Sequence, residues 1–326
     1  MYKLMTVLIL ISCLGVVHAQ PQTQTSINSY PNRPIKLINP LGTGGTAETL
    51  ARTAGKALID QLGQPVIVET KTGAAGIIGA DFVAKSQPDG YTLLYGVTGT
   101  NTIAPSLYKL PYDPVKDLTP VTIAFAGPNV LLVNQGLDVN SLQDLIALAK
   151  SKPGQLSFAS AGNGSMSHLN GELLKQYAGI DILHVPYKGG GAAVPDLLSG
   201  RVSMMIETSS GVMPLLRTGR VKALAVTSLQ RTSQLPDIPT FQELGYPAIY
   251  SLVWGGLFAP AGTPKPILDK ISQAIQKQSK DPSYREIVGN LNNEALSMTP
   301  EEFRVYVNDD MKKYGDIIKK INLKLE

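Results

Sequence analysis

Apolar positions along this chain switch between two periods, and the switches outline alternating strands and helices. Residues 35–39 form a short apolar run and predict a strand. Over residues 46–62, Leu50, Ala54, Ala57, Leu58 and Leu62 fall on one face of a 3.6-residue period. That predicts a helix which Gly63 can close. Residues 66–69 predict the next strand and residues 77–85 a helix, ended by the turn Gln87-Pro88-Asp89-Gly90. Residues 91–97 predict a third strand.

The alternation restarts at residue 130. Strands are predicted at 130–134, 156–160, 182–185, 202–206 and 221–227, and helices at 141–151, 165–177 and 191–199. Ser141 and Asp144 stand at capping-box spacing. Repeated βαβ units imply parallel sheets covered by helices on both faces. Two α/β blocks, 30–126 and 130–249, are followed by a tail with one strand, at 251–258, and helices from Pro264 onward. Thr299 with Glu302 three residues later starts the last long helix.

Such a tail makes a poor domain by itself and is expected to return to the first block. The organisation read from the pattern is therefore residues 33–127 plus 250–326 as one domain and 128–249 as the second. The chain then crosses between them near Gly127-Pro128 and again at 246–250, a two-strand hinge of the kind that closes around ligands.

The N-terminus changes the setting. Met1-Tyr2-Lys3 is positive, residues 4–17 are almost wholly apolar, and Val17-His18-Ala19 has the small-residue pattern of a cleavage point. Together these read as an export signal cut near Ala19, followed by a flexible lead-in over residues 20–32. The apolar run is shorter than the roughly 20 residues of a membrane span. Leu10-Ile11-Ser12-Cys13 resembles a lipoprotein box and leaves lipid attachment at Cys13 as an alternative. Cys13 is the single cysteine, so the mature chain has no disulfide, thiol nucleophile or thiolate metal site. Net charge is +4, with 17% charged residues and no basic run. That favours small anionic partners in general and gives no footprint for nucleic acid.

Two glycine loops carry the candidate chemistry. Pro40-Leu41-Gly42-Thr43-Gly44-Gly45-Thr46 joins a strand to a helix start, and Ala161-Gly162-Asn163-Gly164-Ser165 does the same in the second block. Glycines let backbone N–H groups approach a ligand, and each helix start adds about half a positive charge. One loop per domain, facing across a cleft, would hold a small anion. Taken singly, each loop is equally well a plain strand–helix turn. The first loop also fits a dinucleotide fingerprint, Gly42-x-Gly44-x-x-Ala47, with Glu69 at the end of the next strand. The export signal argues against that reading, and Pro40-Leu41 loosens the turn it requires.

Catalytic sets are missing from the sequence. Ser165 and His168 stand three residues apart on one predicted helix, a spacing that says nothing for a nucleophile and base. His168 and Glu172 have no third ligand near them, so no metal is expected, and neither is a cofactor. His168 reads as a histidine near a helix start that donates a hydrogen bond. An exported enzyme has no support.

Longer stretches carry a resemblance. They include Gly63-Gln64-Pro65-Val66-Ile67-Val68-Glu69, Gly76-Ile77-Ile78-Gly79-Ala80 and Pro88-Asp89-Gly90-Tyr91-Thr92-Leu93. Later come Ser160-Ala161-Gly162-Asn163-Gly164-Ser165, His184-Val185-Pro186-Tyr187-Lys188-Gly189, Leu235-Pro236-Asp237-Ile238-Pro239-Thr240 and Ala259-Pro260-Ala261-Gly262-Thr263-Pro264. In this order, from Tyr30 onward, they resemble the Bug-type extracytoplasmic solute receptors, the binding component of tripartite tricarboxylate transport systems. The resemblance implies a two-domain, type II-like periplasmic binding fold. It also implies a monomer that captures a small carboxylate, largely through backbone groups and bridging waters, and delivers it to integral membrane permease subunits.

Carried onto this chain, the binding residues would be Leu41, Gly42, Thr43, Gly44, Gly45 and Thr46, then Thr98 and Gly99, then Ser160, Gly162, Asn163, Gly164 and Ser165. His168, Tyr187 and Glu207 would border them. The family usually has proline where Thr43 stands and aspartate where Glu48 and Glu207 stand. Glu207 is one methylene longer and is expected to narrow the cleft or repel an anion. Dicarboxylates, aromatic acids, amino acids and neutral vitamin-like amides all stay open as ligands. A sensory role beside a membrane kinase stays open as the alternative to transport.

Overall fold

The computed structural model describes residues 29–42 and 46–323. The expected signal with its cleavage point, Cys13, most of the lead-in, and Thr43, Gly44 and Gly45 lie outside the described residues. The lead-in ends in ordered structure, because Asn32 N–H donates to Tyr91 Oη at 3.0 Å and Asn32 Oδ1 accepts from the same hydroxyl at 2.9 Å.

The first block follows the predicted alternation: β1 (Ile35–Asn39), α1 (Thr46–Leu62), β2 (Val66–Thr70), α2 (Ile77–Ala84) and β3 (Thr92–Val97). β1 lies between β2 and β3, parallel to both, with Ile35 opposite Val66 and Lys36 opposite Thr92. α1 buries Ala51, Ala54, Ala57 and Leu58 completely, so its predicted apolar face is the one that packs. A π-helical turn (Gly99–Ile103) then runs into α3 (Ala104–Leu107), and neither was predicted.

β4 (Leu118–Asn134) is where pattern and structure part most. The strand predicted at 130–134 is only the end of one 17-residue strand, which runs through Gly127-Pro128. Its first part, Leu118 to Pro128, pairs with β9 (Leu252–Pro260), and its last part, from Asn129, pairs with β7 (Met204–Thr208) and β8 (Val221–Val226). Proline has no N–H for a ladder and is tolerated at edges and bulges. Pro120 stands at a register shift, and Pro128 stands where the ladder passes from one neighbour to the next.

Between those strands lie α4 (Leu142–Ser151), β5 (Ser157–Ser160), α5 (Met166–Ala178), β6 (Leu183–Pro186) and α6 (Gly190–Ser199). β7 begins two residues later than predicted and passes directly into α7 (Ser209–Leu216), a helix that was not predicted. The tail supplies β9, α8 (Lys265–Gln278), α9 (Pro282–Asn290), β10 (Glu294–Ala295) and α10 (Pro300–Lys320). β9 returns to the first block as expected and inserts antiparallel between β3 and β4. The Thr299–Glu302 capping box at α10 forms both of its bonds. At α4, Ser141 Oγ accepts from Asp144 N–H, while the Asp144 carboxylate accepts from Asn140 N–H.

The strands follow one path, β2-β1-β3-β9-β4-β7-β5-β6, with β8 and β10 also on β4. One apolar core gathers Trp254, Phe258 and Phe303 between β9 and α10. Beyond residue 129 the sheet is buried on both faces. Met204 and Ile206 enter one core with Phe158 and Leu174, whereas Met205 enters the opposite core with Val212 and Val226. Burial on both faces explains why these strands read as continuous apolar runs. Each fully buried side chain of this size contributes about 1.5–3 kcal/mol. No helix among the described residues is long and apolar enough to cross a membrane.

Candidate functional site

A cavity of about 820 Å³ opens at the carboxyl ends of the parallel strands. Its first wall comes from Leu41 and Gly42 after β1, Ala47 and Leu50 of α1, and Gly99 and Thr100 after β3. Its second wall comes from three segments that follow β5, β6 and β7, reaching it at Asn163, Gly189 and Ser209. Gly127, Asn129 and Trp254 lie between the walls, where β4 and β9 run side by side.

Four helices start at this cavity: α1, α5, α6 and α7. Each start carries N–H groups without intrahelical partners and a partial positive charge. At α5 the Ser165 hydroxyl caps the helix, accepting from His168 N–H at 3.2 Å. At α6 and α7 the cap residues Gly189 and Thr208 make no side-chain cap bond. Among the described residues, the N–H groups of the first turn of α6 and α7 have no cap side chain, although Glu207 takes the Thr208 N–H at the edge of α7.

The second glycine loop is shaped for this. Gly162 and Gly164 have φ of 127° and 75°, values that side-chain-bearing residues rarely adopt. They turn the chain from β5 into α5 and bring Asn163, Gly164 and Ser165 to the cavity wall. Ser165 Oγ donates to Gly162 O at 2.7 Å, closing the turn on itself. Ser165 is therefore a helix cap, and His168 Nδ1 is turned to Gly164 N–H, from which it accepts at 3.1 Å. The expectation that His168 donates a hydrogen bond near the helix start is corrected on this point. Neither residue is arranged as nucleophile and base.

Among the predicted site residues, Leu41, Gly42, Gly99, Asn163, Gly164, Ser165 and Glu207 line the cavity. Thr46 opens α1. Thr98, Ser160, Gly162, His168 and Tyr187 stand behind the wall and support it. Thr98 Oγ1 accepts from Trp254 N–H at 2.8 Å, joining the end of β3 to β9. Ser160 Oγ lies 2.6 Å from His184 Nε2. Tyr187 Oη donates to Asp196 Oδ2 at 2.7 Å, and Asp196 also holds Arg201 at 2.9 Å, which braces α6. Glu69, the acid of the dinucleotide reading, pairs with Lys36 at 3.2 Å and is not part of the cavity wall.

Among the described residues, two charged side chains line the cavity, Lys188 and Glu207. Lys188 is exposed and makes no ion pair among the described residues. Glu207 does not project freely into the cleft. Its Oε1 accepts from Thr208 N–H at 2.8 Å, and its Oε2 is sealed from solvent without a hydrogen-bond partner. A Cβ on Gly190 would run into this carboxyl, so a larger residue there requires the Glu207 side chain to move. Burial pushes the Glu207 carboxyl above its ordinary range, against the lowering effect of the Thr208 N–H. The expected repulsion of an anion is thereby reduced.

Lys188, the starts of α6 and α7, and Trp254 were not predicted as cavity residues. The strand–glycine–helix pattern after Lys188 was a usable signal for α6. For α7 the polar run Glu207-Thr208-Ser209-Ser210-Gly211, between two apolar stretches, was a usable signal as well.

The family description of tripartite tricarboxylate transporter family receptors, TctC, matches residues 50–323. BugT of Bordetella pertussis (strain Tohama I) is 35% identical over 324 residues, covering 99% of each chain. Rpa4515 of R. palustris, solved with adipate, is 32% identical with a TM-score of 0.84 over 90% of this chain and 99% of that one. MatC of Rhodopseudomonas palustris, solved with bound malate, is 32% identical with a TM-score of 0.77 over 89% of this chain and 100% of that one.

Proposed function

The chain belongs to the tripartite tricarboxylate transporter receptor family, and we propose that it captures a small dicarboxylate in the cavity and hands it to integral membrane permease subunits. It has the α/β fold of periplasmic solute-binding proteins, and members of this family are periplasmic receptors rather than enzymes. The observation that carries the proposal is the convergence of four helix starts on one cavity, two of them without a side-chain cap. Such starts suit carboxylates, because their N–H groups and dipoles favour a negative charge. Relatives with adipate and with malate point the same way.

In this reading the signal is cleaved near Ala19 and the mature chain works as a monomer. Residues 33–127 with 250–326 form one lobe and residues 128–249 the other, and the lobes close about the paired crossings in β4 and β9. The loop that follows β1, which reaches the cavity at Leu41 and Gly42, receives one carboxylate. The starts of α5, α6 and α7 receive the other, with Lys188 balancing the remaining charge at the rim.

The test is a melting series on mature protein that has been unfolded and refolded to remove carried ligand. Malate, succinate, glutarate and adipate are compared with aromatic acids, acidic amino acids, nicotinamide and NAD. A dicarboxylate at 100 times its Kd adds about 2.7 kcal/mol and raises the melting temperature. No rise with any carboxylate would sink the proposal.

A further inference from the structure

The second glycine loop rests on an aromatic stack outside the cavity wall. Phe158 of β5, His184 of β6 and His168 of α5 pile in that order. Phe158 and His184 have ring centroids 4.8 Å apart, and the two imidazoles are 3.8 Å apart and tilted by only 8°. Each imidazole spends one ring nitrogen on the loop or its root. Gly164 N–H donates to His168 Nδ1 at 3.1 Å, and His184 Nε2 meets Ser160 Oγ at 2.6 Å.

A ring nitrogen that accepts carries no proton, so the Gly164 contact requires His168 to be neutral and protonated on Nε2. Of the charged groups around the stack, Lys175 favours the neutral state and Glu172 works against it at His184. Glu172 Oε1 is 4.0 Å from His168 Nε2 and is already held by Lys175 Nζ at 3.1 Å. No other titratable group among the described residues acts on the pair. Burial brings both imidazoles down to about 4, with Lys175 adding to the effect at His168 and the His168 ring adding to it at His184.

We propose that His168 and His184 are positioning residues for ligand capture: as a neutral stack they hold residues 162–165 in the ligand-receiving shape, and a proton taken up by the stack releases loop and ligand together. The reason is local. Protonation at His168 Nδ1 turns the acceptor for Gly164 N–H into a second donor, and two donors cannot pair. A charge on either ring also faces its stacked neighbour at 3.8 Å. Residues 163–165 line the cavity, so their displacement removes backbone groups from the site. The proposal rests on the carboxylate reading for its ligand, though not for the loop.

The test has two arms. In the first, the ligand-free protein is titrated from pH 8 to pH 3.5 by nuclear magnetic resonance, following both imidazoles and the Gly164 amide. The imidazoles are expected to titrate near pH 4, and the Gly164 amide is expected to move with the same midpoint while β1 amides stay put. In His168→Asn, whose Oδ1 can accept where Nδ1 did, the Gly164 step disappears. A Gly164 amide that ignores the imidazole titration overturns the proposal, and this readout needs no variant to fold.

In the second arm, malate, succinate and adipate affinities are measured at pH 7 and pH 4 on the wild type and on His168→Asn. Using one ligand for both proteins cancels the ligand's own titration. Because pH 4 is the midpoint of the imidazoles, the wild type is expected to lose about twofold more affinity than the variant, about 0.4 kcal/mol. Equal losses overturn the proposal. If none of the three acids binds at pH 7, the carboxylate reading fails while the amide titration still decides the loop.

Discussion

Thr227 and Asn129 hold each other twice. Asn129 N–H donates to Thr227 Oγ1 at 2.9 Å, and Thr227 N–H donates to Asn129 O at 3.0 Å. The Thr227 hydroxyl donates onward to Ser251 O at 2.6 Å, and Asn129 Nδ2 reaches Ser251 Oγ at 3.2 Å. All three residues are buried, at the point where β4 exchanges β9 for β7 and β8 as its neighbour. Thr227→Val keeps the shape and removes the hydroxyl, leaving a buried N–H and C=O unpaired. A loss of about 1–3 kcal/mol is expected in urea denaturation at pH 7, and Thr227→Ser should recover most of it.

Gly190 and Glu207 form a second coupled pair. A methyl group on Gly190 meets the Glu207 carboxyl, so Gly190→Ala is expected to cost about 1–3 kcal/mol by overpacking. Glu207→Ala in the same chain removes the obstacle. Melting curves of the four proteins should therefore show a coupling of at least about 0.5 kcal/mol. Strictly additive effects would mean that the carboxyl swings clear and does not seal against α6.

Trp254 is the only tryptophan. It is buried against the cavity, with Nε1 donating to Asp310 Oδ2 at 2.9 Å. Because β9 carries it beside the crossing, saturation with a bound dicarboxylate is expected to change its emission. An unchanged spectrum with a ligand proven by calorimetry would count against closure at this point.

The histidine stack also sets a pH dependence of stability. Both imidazoles have pKa values of about 4 in the fold, against an ordinary value of 6.5. Between those values the unfolded chain binds more protons than the fold, so stability falls as pH falls. Their contribution is complete above about pH 6.5 and is lost on the way down to about pH 4. Urea midpoints at pH 7.5, 5.5 and 4.5 should follow that slope. The double variant His168→Asn, His184→Asn should flatten it, and a slope equal to the wild type's would remove the stack as its source.

Local order was legible wherever it depends on neighbours in the chain. The face of α1 made by Ala54, Ala57 and Leu58 is the face that packs, and Thr299 with Glu302 does start the last helix. The second glycine loop does lie between a strand and a helix start and does reach a cavity. Period and capping chemistry act over a few residues, so a pattern reading captures them.

The long range was not legible in the same way. Nothing in residues 118–134 says that one strand runs through Gly127-Pro128, because that continuity depends on β9 and β7 arriving from more than 70 residues away. Nor does spacing reveal that His168 stacks on His184, or that Glu207 folds back against Gly190. The sequence by itself determined most of the alternation of strands and helices, the start of the last helix and the backbone freedom of the second glycine loop. Tertiary structure alone decided which helix starts share one cavity, which predicted residues face it and which stand behind it. Those outcomes follow from non-local strand pairing and close packing, whose free energies belong to pairs of distant residues and to neither residue singly.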